Sequence, residues 1–227
     1  YRRNTYGKYY NSENTYFIVC CRNGGYHKTG SCFGESSGRL CESIYGEYQS
    51  LLVPTYPIVH LPNSMLRVYP QRGDYTSDKI HGLPLIQISH RGSFGFNLSP
   101  FQGDASGLSR VINFEYDNEV TKPYHYQVDL CNQQLHVEFA PSHQSAIYHF
   151  DYKEDKTPYL ILNAGNGELE VSGNVISGYQ NMWNNLRVYI YMETDTEPTK
   201  TGTLQSDKWE EGKRKAKGDN TCVVVGW

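Results

Sequence analysis

The chain has 227 residues, with 21 Lys and Arg against 24 Asp and Glu, a net charge of −3 and a pI near 6.3. That balance gives no electrostatic reason to bind nucleic acid or an anionic membrane, and no apolar run approaches the ~18 residues a spanning helix needs. With 20 Tyr, 8 Phe and only 5 Ala, strand formers dominate and the best helix former is nearly absent, which argues against a helical bundle or a βαβ protein.

In chain order, Tyr1-Arg2-Arg3 is followed by no apolar h-region, so any signal peptide is expected to have been removed or never present. Tyr16–Cys20 is a short apolar run, and Ser31–Ser50 lacks any pattern and reads as loop. Met65–Tyr69, Pro84–Ser89 and Val111–Tyr116 read as strands between loops rich in Gly, Ser and Asp. The clearest hairpin pairs Tyr124–Leu130 with Leu135–Ala140. Matching their apolar faces sets Leu130 opposite Leu135, Val128 opposite Val137 and Tyr126 opposite Phe139, leaving the four-residue loop Cys131–Gln134. Further strands are expected at Ala146–Tyr152, Tyr159–Asn163, Leu169–Val171, Val175–Tyr179, Leu186–Glu193 and Thr221–Val225, with Asn163–Glu168 as a turn. Asp207–Lys217 opens like a helix, but its only apolar residues are Trp209 and Ala216, so a charged surface loop is expected. The expectation is one all-β domain over residues 1–227, a large two-layer antiparallel β-sandwich of the supersandwich kind with very little helix, irregular over residues 1–50.

The chemistry-bearing patterns are weak. The cysteines at 20, 21, 32 and 41 are spaced 1, 11 and 9 apart, unlike the C-x₂₋₄-C pairs of zinc sites. Free buried thiols and one or more disulfides both remain open, and no metal is expected. Gly34-Glu35-Ser36-Ser37-Gly38 matches the nucleophile elbow G-x-S-x-G, which needs an α/β sheet that nothing here supplies. The histidines lack ligand spacing, and His136 falls opposite Asp129 on the polar face of the hairpin, as a cross-strand pair. The residues by themselves reach a Tyr-rich β-sandwich without a reaction.

A resemblance goes further. The run from Thr55 to Pro70 (TYPIVHLPNSMLRVYP) resembles, without a gap, the TYPGATVPFGMVQLSP run near the start of glycoside hydrolase family 92, the calcium-dependent exo-acting α-mannosidases. Asp74–Gly82 is similar to that family's D-Y-S-D-x-x-I-x-G segment, Lys122–Val128 to its S-P-G-Y-Y-x-V strand, and Glu138–Phe150 to its E-L-T-A-T-A-R-V-G-F-H-R-Y return. The resemblance runs from about residue 55 to the end. It implies the family's N-terminal β-sandwich, without the (α/α)₆ barrel that carries the acid, the base and the calcium ligands. No catalytic residue and no cofactor is therefore expected in this chain, calcium belonging to the absent barrel.

Departures from the pattern are equally specific. The G-H-G-H before T-Y-P is Leu51–Pro54 here, F-S-H-T-H is Leu83–Gln87, and the Arg and His of A-R-V-G-F-H-R are Gln144 and Tyr148. Either the chain binds a different sugar or it keeps the scaffold and has lost the site. The resemblance implies a sugar-facing surface at Tyr56, His60 and the stretch Asp74–Arg91, with His81, His90 and Arg91 as polar groups and Asp74 and Asp78 orienting them. Trp183, flanked by Asn181, Asn184 and Asn185, is a separate stacking candidate. The expected partners are a mannose-type glycan and the catalytic barrel of the same parent chain, and the expected location is secreted, periplasmic or cell-surface. A free-standing carbohydrate-binding or adhesion module is the alternative.

Overall fold

The computed structural model describes residues 18–22, 59, 61, 70–73, 77–87, 94–142, 145–182, 186–205 and 208–227. The strands are β1 (Ile18–Arg22), β2 (Lys79–Ile80), β3 (Leu83–Gln87), β4 (Phe94–Gln102), β5 (Phe114–Lys122), β6 (His125–Leu130), β7 (Leu135–Pro141) and β8 (Ser145–Asp151). They continue with β9 (Pro158–Asn163), β10 (Asn166–Ser172), β11 (Val175–Asn181), β12 (Arg187–Thr194), β13 (Lys200–Gln205), β14 (Lys208–Glu211), β15 (Lys215–Asp219) and β16 (Cys222–Gly226). Among the described residues the only helical piece is the 3₁₀ turn Ala105–Gly107, and no helix is long and apolar enough to cross a membrane.

A ten-stranded sheet runs β15-β10-β11-β12-β1-β8-β7-β6-β5-β2 and faces a six-stranded sheet, β14-β13-β16-β9-β4-β3. The all-β sandwich expected from composition is therefore present. The expected hairpin register holds residue for residue, with Leu130↔Leu135, Val128↔Val137 and Tyr126↔Phe139. Alternation works there because one face of β6 and β7 is buried and the other is wet.

β9 and β16 follow a different rule. Tyr159 to Leu162 and Cys222 to Val225 are all at most 1% exposed. Leu160, Leu162, Val223 and Val225 face the large sheet, while Tyr159, Ile161, Cys222 and Val224 form a second core with Leu108 and Leu204, flanked by Phe101, Ala105, Ile112 and Trp209. The segment between β4 and β5 thus covers the outer face of the small sheet. It is pinned where the Gly103 N–H donates to Thr157 O (3.0 Å) and Asn163 Nδ2 donates to Arg110 O (2.9 Å).

Four expectations need correction. β1 pairs parallel with both β12 and β8, in an otherwise antiparallel sheet, because it fills the gap between two meanders whose bordering strands run the same way. Asp207–Lys217 is neither helix nor loop: it holds β14 and most of β15, each at the rim of a sheet, where charged side chains are the normal edge protection. The turn expected through Glu168 ends at Gly165, because a Cβ on Gly167 would lie 1.9 Å from the Tyr179 carbonyl oxygen; that glycine permits close strand approach. Val111 is exposed and precedes β5, which starts at Phe114. Met65–Tyr69, Ser31–Ser50, Gly34–Gly38, Cys32 and Cys41 lie outside the described residues; Cys131 is half-buried and Cys222 buried.

A hydrogen bond joins strands of the two sheets. Phe96 in β4 sits at φ +54°, costly for a bulky residue, and its N–H donates to Gln180 Oε1 of β11 at 2.8 Å. Gln180→Met keeps the side-chain volume but strands the buried amide. Urea unfolding should show a loss of about 1–3 kcal/mol, and an unchanged midpoint would mean that the sheets do not depend on this bond.

Candidate functional site

Of the residues singled out from sequence, His81 is described; Tyr56, His60, Asp74, His90, Arg91 and Trp183 lie outside the described residues. Asp78, also described, is exposed. His81 belongs to a crossing at one end of the sandwich, where residues 70–73 meet residues 77–82. The His81 N–H donates to Gln71 O (2.7 Å), and the Gln71 N–H donates to Gly82 O (2.9 Å). Asn97 Nδ2 bonds Gln71 Oε1 at 3.2 Å, and the His81 ring Nδ1 meets Asn113 Oδ1 at 2.5 Å. Gly82 is required here: at φ +143° a Cβ would fall 2.3 Å from the Asn97 amide.

The same crossing is anchored from below by a buried ion pair that sequence reasoning missed. Arg72 and Glu119 are in direct contact, with side chains 0% and 1% exposed. The Tyr126 hydroxyl donates to the same carboxylate oxygen at 2.7 Å, and the guanidinium lies 4.7 Å from the centre of the Tyr116 ring. The Tyr116 hydroxyl in turn donates to Ser77 O at 3.1 Å. A bulge in β5 makes this possible. The register with β6 shifts between Asp117 and Val120, Asn118 takes φ +53°, and Glu119 turns inward where strict alternation would point it out. Burial raises the Glu119 carboxyl above its ordinary value, against the pull of Arg72, and burial likewise pushes the Tyr126 hydroxyl up.

On the solvent face of the large sheet, the expected His136–Asp129 cross-strand pair is present at 2.5 Å. It continues through Glu138 to His149 and Asp151 at 3.4, 3.8 and 3.2 Å. The bond to Asp129 lifts His136 above its ordinary value despite burial. Burial alone would raise Asp129, but the bonds from His136 and Asn118 outweigh it and hold the carboxyl low. Among the described residues no group of His, Cys, Asp or Glu is arranged to hold a metal ion.

Of the positions where the sequence departs from the family pattern, Leu83, Leu85, Ile86 and Tyr148 are buried. Leu85 and Tyr148, both at histidine positions of the pattern, are 1% and 0% exposed. Tyr148 packs its ring 4.7 Å from Phe139 and 6.0 Å from Phe150.

Comparison with known proteins agrees with the sequence likeness. Residues 38–227 match the family described as the glycosyl hydrolase family 92 N-terminal domain, a match that begins before the Thr55 run. Among solved structures, a family GH92 inverting mannosidase of Bacteroides thetaiotaomicron VPI-5482 superposes with a TM-score of 0.66 at 20% identity, over 80% of this chain and 28% of that one. A family GH92 α-mannosidase of Bacteroides thetaiotaomicron gives 0.66 at 18% identity, over 76% of this chain and 29% of its own. The same α-mannosidase in complex with mannoimidazole gives 0.64 at 17%, over 76% and 28%. At these identities the likeness is one of fold, and the chain spans under a third of each structure. No curated relative matches the chain.

Two outcomes are expected from this geometry. Glu119→Gln removes the charge facing a buried guanidinium and should cost about 3–5 kcal/mol in urea unfolding, whereas Arg72→Met with Glu119→Leu should cost far less; equal losses would mean that the pair matters through packing alone. The second outcome concerns pH. His136, being raised, stabilises the fold fully below 6.5 and loses that contribution as pH climbs through its higher folded value. Asp129, being lowered, contributes fully above 3.8 and loses it as pH falls through its lower folded value. Asp129→Asn should flatten both limbs of the stability–pH curve, and an upper limb that persists unchanged would assign it to another group.

Proposed function

We propose, on the premise that this chain belongs to the family of glycosyl hydrolase family 92 N-terminal domains, that it is the non-catalytic β-sandwich of a mannosidase-like glycoside hydrolase. In this reading it packs on a catalytic barrel of the same parent chain and shapes one wall of a mannose-type sugar site. The acid, the base and the calcium ligands belong to the barrel, and the parent works outside the cytoplasm.

The family match over residues 38–227 carries the reading. The altered positions support the non-catalytic part of this reading: apolar or aromatic side chains at Leu85 and Tyr148 serve core packing rather than a polar site. The double anchoring of residues 70–73 and 77–82, through Gln71 with His81 and through Arg72 with Glu119, suits a wall under a second domain. The purified 227-residue chain should show no hydrolysis of an aryl α-mannoside above the buffer rate, with or without added calcium. Measurable turnover would put the chemistry in this domain and overturn the assignment.

A further inference from the structure

We propose that the solvent face of the large sheet, along β11 and β12, binds a short neutral oligosaccharide, with Tyr191 as the stacking platform and Arg187, Asn181 and Asn166 as hydroxyl-binding groups. This surface lies toward the β15 edge of the sheet, whereas the crossing at His81 lies at the β2 edge, so the two proposals stand apart.

Four polar side chains lie in one register across β15, β10, β11 and β12. Asn166 Nδ2 donates to Asp219, Asn181 Nδ2 donates to Asn166 Oδ1 at 2.9 Å, and Arg187 Nε donates to Asn181 Oδ1 at 3.1 Å. Each amide thereby has its plane fixed while keeping a second N–H and a second lone pair. Asn166, Asn181 and Arg187 are all exposed.

Arg187 is held more tightly still. Its guanidinium lies 4.1 Å from the centre of the Tyr179 ring, and Tyr179 packs against Tyr189, its cross-strand partner, at 6.0 Å. No acidic side chain pairs with it among the described residues, so two terminal nitrogens form a pre-set fork toward solvent. Tyr191 is 38% exposed on the same face of β12, about 14 Å from Arg187 along the strand. That length accommodates linked sugar rings, one lying on the aromatic ring and another offering vicinal hydroxyls to the fork and the amides.

Charge selects the ligand class. An anion on this face would meet Asp219 in the row itself and Glu168 in the next one, and a cation would meet Arg187, Lys215 and Lys217. A neutral polyol, whose hydroxyls both donate and accept, satisfies the mixed row. Among the described residues the large apolar side chains exposed along this side of the sheet are Tyr191, Leu186 beside Arg187 and, beyond β1, Ile147.

The test is a titration of the 227-residue chain with mannotriose, cellotriose and xylotriose up to about 10 mM, followed by calorimetry and amide NMR. At least one should bind, with shifts confined to β10–β12. Tyr191→Ala and Arg187→Met should each weaken it roughly tenfold, without lowering the melting temperature. Tyr124→Ala, at a more exposed tyrosine in the β5–β6 turn, should leave it unchanged. Binding of none of the three sugars, or binding that Tyr191→Ala leaves intact, overturns the proposal. An aryl mannoside assay tests the other reading independently.

Discussion

Two adjacent strands, β9 and β16, have no wet face, and the rest of the molecule is arranged around that fact. A strand apolar on both sides has to be covered twice. The ten-stranded sheet covers one side, and the β4–β5 segment with Leu108, Ile112 and Trp209 covers the other. Once the small sheet is enclosed in this way, the outer face of the large sheet is the broad surface left to water. The amide row, the paired tyrosines and the chain from Asp129 to Asp151 all lie there.

What could be read from sequence followed the same physics. β6, β7 and β8 are buried on one face, so their alternation was visible, and the β6–β7 register came with it. β9 and β16 stood out as unbroken apolar runs. β4 did not, because Gly95, Asn97, Ser99 and Pro100 interrupt its pattern and Phe96 departs from extended geometry. β14 and β15 were hidden by the charges that protect them as edges. The parallel direction of β1 follows from which gap it fills, a global property that five residues do not encode.

The site was less legible than the fold. The resemblance led to the 70–82 crossing and to His81, but the ion pair beneath it joins residues 47 positions apart. A bulge had to turn Glu119 inward before Arg72 had a partner, and no periodic reading of β5 anticipates that extra residue. The exposed row at Arg187 was hidden for another reason. Its members come from β15, β10, β11 and β12, and only the register puts them side by side.

β1 has a consequence for the integrity of the sheet. It lies upstream of the residue where the family match begins, and the meanders ending in β8 and β12 are joined within the sheet through it alone among the described strands. Those two bordering strands run in the same direction, with room between them for one extended backbone. A ladder of this kind takes its affinity from main-chain groups, while side-chain pockets decide which segment fits. Tether length and effective concentration then add to side-chain fit in setting occupancy. Loss of the native tether opens the sheet to strand exchange with a second molecule, which makes the N-terminal segment a determinant of solution behaviour.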